Sequence, residues 1–426
     1  MRGPTSHKAL LSARTLDLTN QTGWLCGRIL SDLGAEVIKV ERPGGDADRN
    51  VAPFYRDKPQ PERSLYWMAY NAGKKGITLN LETARGRDLF MQLASVCDLI
   101  VETFPPGYMR EFGIGYESVS HVAPHIIVTS ITPFGQTGSK RDYKASDITL
   151  MALAGVMATV GRPNRVPLRL PLDQSYNIAS ANAAMGSLIA YHERQLSGMG
   201  QHVDISIYEC LVRFNYRDPI FWEFSRTYSR RSEDRSIRGK DLYARIIWPC
   251  QDGYVTWMFF GGQMGAREIG PLIRWMKEET IDVPGIDKLS KLEQEELDFS
   301  RLSQDELMQF EDVVAQFFAR HGRKELQEQG MKRGLTVVAV NDIEDVLLDA
   351  QLSARGFWMK IEDETLGEAV SYPGHWFISS ETENHVRGRA PYIGEHNEEI
   401  YEGLLGLSQS QLESLRQDGT IGEFLR

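Results

Sequence analysis

Along the first third of the chain the apolar positions switch between two periods. ARTLDL, AEVIKVE, GITLNL, DLIVETF and HIIVTSITPFG are short apolar runs rich in β-branched residues, the pattern of buried strands. Helical spacing separates them, over residues 22–34 as far as Gly34 and again from Thr83 to Ala94. Arg42-Pro43-Gly44-Gly45 stops the second run. Strands alternating with helices of this length predict βαβ units in a parallel, doubly wound sheet, hence an α/β fold. A longer helix is expected from Ser175 to Gln195, closed by the glycines of SGMGQ, with HVDISIYE as the strand after it.

Beyond residue 225 the pattern changes. RTYSRRSEDRSIRGK is polar and basic, a loop, and YARIIWPCQDGYVTWMFFGG predicts a β-hairpin turning at Asp252-Gly253. Residues 285–333 are charged with helical period, and their simplest reading is a solvated helix face. Strand and turn signals return in TVVAV, VSYPG and APYIGEHN before a final helix, EEIYEGLLG. Length supports the division this implies, because 426 residues exceed the ~250–300 at which a single core stops growing. A separate domain is expected over 226–335, between segments 1–225 and 336–426.

Charge narrows the function classes. A net charge of −10 argues against a protein that coats nucleic acid or an anionic membrane. Cys26, Cys97, Cys210 and Cys250 lie far apart with no C-x-x-C pair, as expected of reduced thiols in a cytoplasmic protein rather than of a zinc site or a disulfide framework. No signal-type apolar segment opens the chain, and no run approaches the ~20 residues of a membrane span.

No phosphate-binding glycine fingerprint follows a strand, and there is no H-E-x-x-H or G-x-S-x-G. Charged loops after predicted strands remain. They are Glu41 to Asp46, the Asn71-Ala72-Gly73-Lys74-Lys75 turn, and Arg141 with Lys144. Each alone reads as a solvated loop. Together they predict a basic cleft at one sheet edge, where open α/β sheets hold ligands.

The succession LDLTNQTGWLCGRILSDLGAEVIKVERPGGD, NAGKKGITLNL and DLIVETFPPG resembles family III CoA-transferases of the carnitine and formyl-CoA transferase type. The likeness continues through ITPFGQTG, SGMGQHVDISIYE, QLSARGFW and RAPYIGEHNEEIY, so it covers nearly the whole chain. It implies a Rossmann-like large domain built from 1–225 and 336–426, a smaller α+β domain over 226–335, and open-ring subunits interlocked as a dimer. It also implies CoA and acyl-CoA as substrates, with no tightly bound cofactor and no metal. In the family's reaction an aspartate carboxylate attacks the thioester, and CoA passes to a free acid through a mixed anhydride.

That aspartate is missing from its place. Aligning backward from Gly198-Met199-Gly200-Gln201 and forward from Pro167 and Arg169 puts Tyr176 at the nucleophile position both times. Asp173 falls one helical turn earlier and reads as a helix N-cap or first-turn acid. A phenol of pKa ~10 is a poor nucleophile at neutral pH. The resemblance is strongest, through DQSYNIASANAAMGSLIAYHERQLSGMGQ, to the aspartate-lacking subunits of two-chain benzylsuccinate CoA-transferases. It implies a homologous aspartate-bearing partner, succinyl-CoA as donor and (R)-benzylsuccinate, from anaerobic toluene breakdown, as the dicarboxylic acceptor. The alternatives are a self-sufficient homodimer using Asp173, an acyl-CoA racemase or isomerase on the same fold, and a CoA-binding pseudoenzyme.

Seven further positions are candidates for binding, five of them by resemblance. Gln21 corresponds to the polar residue facing the thioester, Arg42 to the basic residue beside the CoA adenine or phosphates, and Lys144 to a CoA-contacting lysine before Asp147. Lys74 and Lys75 add charge, and Gly261 and Gly262 open GGQMG, which is similar to the glycine loop of the small domain. Ser146 replaces an aromatic residue and Phe104 a basic one, so the pocket is softened around the missing nucleophile.

Overall fold

The computed structural model describes residues 8–9, 11–237, 242–258, 262–279, 302–364 and 366–424. Its central element is a six-stranded parallel sheet. The strands are β1 (Arg14–Leu18), β2 (Glu36–Glu41), β3 (Lys75–Thr78), β4 (Leu99–Glu102), β5 (Ile127–Thr132) and β6 (His202–Ser206). In space they run β3-β2-β1-β4-β5-β6, every pairing parallel. β4 and β5 are buried at every position because helices cover both faces, which explains the continuous apolar runs in place of an alternation. The order reverses between β1 and β4, and this switch opens a crevice at the carboxyl ends of the strands.

Helix α1 (Trp24–Asp32) links β1 to β2, and α2 (Leu65–Asn71) precedes β3. The long helix α7 (Gln174–Ser197) lies against the sheet through small residues, Ala179, Ala183, Ser187 and Ala190, all buried. Their size lets the backbones approach, so that Ser187 Oγ meets Thr129 Oγ1 of β5 at 2.7 Å. Gly198 ends α7 in the left-handed region (φ 75°), its N–H donated to the Arg194 carbonyl at 2.8 Å. The C-terminal segment returns to this unit. Asn397 Oδ1 accepts the Thr78 N–H at 2.9 Å, and Tyr401 donates its hydroxyl to the Thr78 carbonyl at 2.8 Å.

The chain divides into two compact units, one of residues 1–157, 169–228 and 351–426, the other of 158–168 and 229–350. The capture of 158–168 by the second unit has no counterpart in the sequence pattern. Within that unit the hairpin Ile247–Cys250 and Gly253–Thr256 is extended by Val338–Ala339. It packs with the helices Gln304–Phe318 and Arg323–Lys332 around Trp248, Trp257, Phe317 and Phe318. The charge run is not wholly a solvated face, since Glu311 is buried, pairs with Arg235 at 2.8 Å and accepts the Arg245 N–H at 2.6 Å. The stretch 280–301 of that run lies outside the described residues. No helix among the described residues is long and apolar enough to cross a membrane.

Candidate functional site

At the switch point the carboxyl ends of β1 to β4 enclose a cleft of about 510 Å³, lined among others by Thr19, Asn20, Arg42, Asp48, Phe104 and Tyr108. Arg42 is exposed on its rim. Phe104 stacks on Tyr108 with ring centroids 4.5 Å apart, a flat aromatic wall in place of the basic side chain that the family pattern puts there.

The turn after β1 is fastened from beneath by a buried charge network. Asp17 Oδ1 accepts the Thr19 N–H at 3.0 Å and its hydroxyl at 2.6 Å, and the Lys39 ammonium donates to the Thr19 carbonyl. The Asn20 N–H goes to Thr103 Oγ1 at 2.8 Å and the Gln21 N–H to Asp48 Oδ2 at 3.0 Å. Burial works to raise the Asp17 pKa, but the ammonium groups of Lys74 and Lys39 overcome it and hold the carboxyl below its usual range. These bonds fix the backbone of the turn from Thr19 to Gln21.

The two lysines expected to line a basic cleft do not reach it. Lys74 is buried and donates to Asp17 Oδ2 at 2.7 Å, the Trp24 carbonyl at 2.9 Å and Asn71 Oδ1 at 2.8 Å, which uses all three of its N–H groups. Burial pushes its pKa down to about 8. Lys75 begins β3, at the end of the sheet opposite the cleft, and pairs there with Glu36 and Glu399, each at 2.6 Å. Lys144 is exposed just ahead of the helix Asp147–Leu153. Gly261 lies outside the described residues, and Gly262 is the first residue of the helix Gly262–Glu278. Of the expected residues, Arg42 lines the cleft, and Gln21 follows Asn20, which lines it too. Lys74 and Lys75 serve the fold.

The first turn of α7 holds the second half of the site. Its cap comes from elsewhere in the chain. Asp173 stands at the N-cap position with left-handed backbone (φ 47°, ψ 48°) but makes no capping bond. Instead it accepts the Tyr66 hydroxyl at 2.8 Å and faces Arg169 at 3.7 Å, so the expected N-cap role is corrected. Buried Asp147 supplies the cap, its Oδ1 accepting the Ser175 N–H at 3.0 Å and the Ser175 hydroxyl at 2.6 Å. The Asp147 N–H in turn donates to the Tyr176 hydroxyl oxygen at 3.0 Å. Burial, with the carboxylates of Asp147, Asp173 and Asp48, pushes the phenol pKa up, against the smaller effect of that N–H. Tyr176 is thus a neutral phenol. One turn further along α7, Ser180 Oγ lies 3.4 Å from the Thr22 carbonyl, which sets this face of the helix against the Gln21 turn.

Sequence reasoning passed over several residues of this site. Asp48 fixes Gln21, Tyr108 completes the aromatic wall, Tyr66 holds Asp173, and Asp147 organises the α7 terminus. Only Asp147 carried a local signal, as the acid that follows Lys144 in the family pattern. A further buried acid, Glu102, ends β4 beside the cleft, accepts the Phe104 N–H at 2.6 Å and has its pKa pushed up to about 7 by burial. Among the described residues no cluster of His, Cys, Asp and Glu could hold a metal ion.

Comparison with known proteins identifies relatives along most of the chain. The chain is 34% identical over 389 residues to the succinyl-CoA:(R)-benzylsuccinate CoA-transferase subunit BbsE of Thauera aromatica, covering 91% of this chain and 92% of that one. It is 30% identical to a succinyl-CoA–D-citramalate CoA-transferase of Chloroflexus aurantiacus, covering 94% of each. A crystal structure of a CAIB/BAIF family protein from Brucella suis shares the fold, with TM-score 0.79, 24% identity, and coverage of 94% of this chain and 100% of that chain. The family model for CoA-transferase family III matches residues 12–397, and the chain belongs to that family.

Proposed function

We propose that this chain is the non-nucleophilic subunit of a two-chain family III CoA-transferase, whose aspartate-bearing homologue performs the acyl exchange. The observation that carries the reading is Tyr176. Motif spacing assigns it to the nucleophile position, and its hydroxyl is held by the Asp147 N–H and kept neutral by burial and nearby carboxylates. Thioester attack by a side-chain oxygen requires an ionised or base-activated group, and this phenol is neither. Likeness to BbsE, itself named as a subunit, supports the division of labour. The same likeness supports succinyl-CoA as donor and (R)-benzylsuccinate as acceptor acid.

The surface supports a partner as well. The helices Ile207–Phe214 and Arg217–Ser225 leave Phe214, Tyr216, Trp222 and Phe224 exposed, and the second of them buries no residue. An apolar patch of this kind marks a subunit contact. An interlocked dimer with a related chain would cover it.

The competing reading, transfer by Asp173 in a homodimer, has to free that carboxylate from Tyr66 and Arg169 before it can attack. Purification of the chain alone and together with an aspartate-bearing homologue tests the two. CoA transfer from succinyl-CoA only in the joint preparation supports the proposal, and robust transfer by the chain alone overturns it.

A further inference from the structure

The hydroxyl of Tyr176 has two roles open to it, and the fold occupies one. Its oxygen accepts the Asp147 N–H at 3.0 Å, while among the described residues no acceptor takes the phenol's own hydrogen. A half-buried neutral phenol whose acceptor side is fixed is a directed donor. Nearby, Asp147 Oδ2 is buried without a hydrogen-bond partner, with only the Arg169 guanidinium 3.6 Å away. The local charge is negative. Asp48, Asp147 and Asp173 all act on the phenol, against the one half-exposed Arg169.

This combination selects its ligand. A free carboxylate approaching Tyr176 would meet three carboxylates and one guanidinium, and repulsion would oppose it. A carbonyl oxygen accepts a hydrogen bond without carrying a full charge, so it keeps the attraction and escapes most of the repulsion. Tyr176 also stands beside the switch-point cleft, because Ser180 in the next turn reaches the Thr22 carbonyl and Asp48 both lines the cleft and holds Gln21. We infer that Tyr176 donates a hydrogen bond to the thioester carbonyl of an acyl-CoA bound in this subunit, making the site a holding site that distinguishes acyl-CoA from free CoA and from free acid. The inference rests on the proposed subunit role and adds a ligand to it. The substitution of aspartate by tyrosine then exchanges a nucleophile for a donor, and the thioester is retained intact.

Calorimetric titration of the copurified two-chain complex tests this with acetyl-CoA and S-ethyl-CoA, which match in size but differ in the carbonyl. To isolate this subunit's cleft, the partner's nucleophile is replaced by alanine and the two binding events are fitted separately. One hydrogen bond corresponds to a preference of roughly five- to tenfold for acetyl-CoA at this subunit. Tyr176→Phe should abolish the preference and leave S-ethyl-CoA affinity unchanged. Equal affinity of the unmutated subunit for the two ligands, a preference that survives Tyr176→Phe, or no binding of either ligand here would overturn the inference. The unmutated comparison needs no variant to fold. Any of those results would leave the proposed subunit role standing, since that is read from the partner dependence of CoA transfer.

Discussion

Tyr176 and Asp147 are joined by a hydrogen bond from the Asp147 backbone N–H to the phenol oxygen at 3.0 Å, while the Asp147 carboxylate holds the neighbouring Ser175 at both N–H and hydroxyl. One buried residue therefore fixes both the start of α7 and the Tyr176 hydroxyl. Asp147→Ala removes the cap and leaves Ser175 unsatisfied, at a cost of roughly 2–3 kcal/mol. Asp147→Asn keeps an acceptor oxygen and should lose less. Urea denaturation midpoints of both variants check the order.

The Asp173 carboxylate is held by Tyr66 and Arg169 and takes no part in capping. Asp173→Ala should cost about 1 kcal/mol in stability, the worth of one partly exposed hydrogen bond. CoA transfer by the two-chain complex should stay within about twofold of the unmutated rate. Loss of transfer together with retained folding would transfer the nucleophilic role to Asp173.

Lys74 and Lys75 adjoin in sequence and differ in environment. Lys74→Met strands the buried Asp17 carboxylate and should destabilise the protein by roughly 3–5 kcal/mol. Lys75→Ala removes partly exposed pairs with Glu36 and Glu399 and should cost no more than about 1 kcal/mol. CoA affinity should not change in Lys75→Ala, whereas Arg42→Ala should weaken it roughly tenfold and reduce its salt dependence. Titrations at low and high salt separate the two.

Glu102 sets a pH dependence of stability. Its folded pKa, about 7, lies above the ordinary 4.5, because burial disfavours the charged form. The folded protein therefore binds more protons than the unfolded chain across that interval. The stability tied to Glu102 is fully present below about 4.5 and is lost as pH rises through about 7. Glu102→Gln stays neutral throughout, so its Tm should rise relative to that of the unmutated protein between those pH values. The upper limit of the difference is roughly 3 kcal/mol. A Tm difference that does not change with pH would contradict this.

Much of the fold was legible because the apolar runs are local. AEVIKVE gives Glu36–Glu41, DLIVETF gives Leu99–Glu102, and the helix expected from Ser175 to Gln195 is Gln174–Ser197. The site was harder to read because its determinants are contacts between residues distant in sequence. Lys74 looked like a ligand-binding loop lysine until the fold brought Asp17 under it, 57 positions away. Asp173 looked like a cap because an acid before Gln-Ser is one in most helices. Here Asp147, 28 positions from Ser175, has taken that bond, and a left-handed backbone turns Asp173 toward Tyr66. Tyr176 could be singled out because short motifs flank it on both sides, and Arg42 because it directly follows the strand Glu36–Glu41.

The central claim, that this chain carries no nucleophile, is tested most directly by locating the covalent intermediate. The copurified complex is incubated with succinyl-CoA, quenched with hydroxylamine, digested and examined by mass spectrometry for aspartyl hydroxamate. The account places the mass shift on the aspartate of the partner chain and leaves the peptide containing Asp173 and Tyr176 unmodified. A hydroxamate at Asp173 would contradict it.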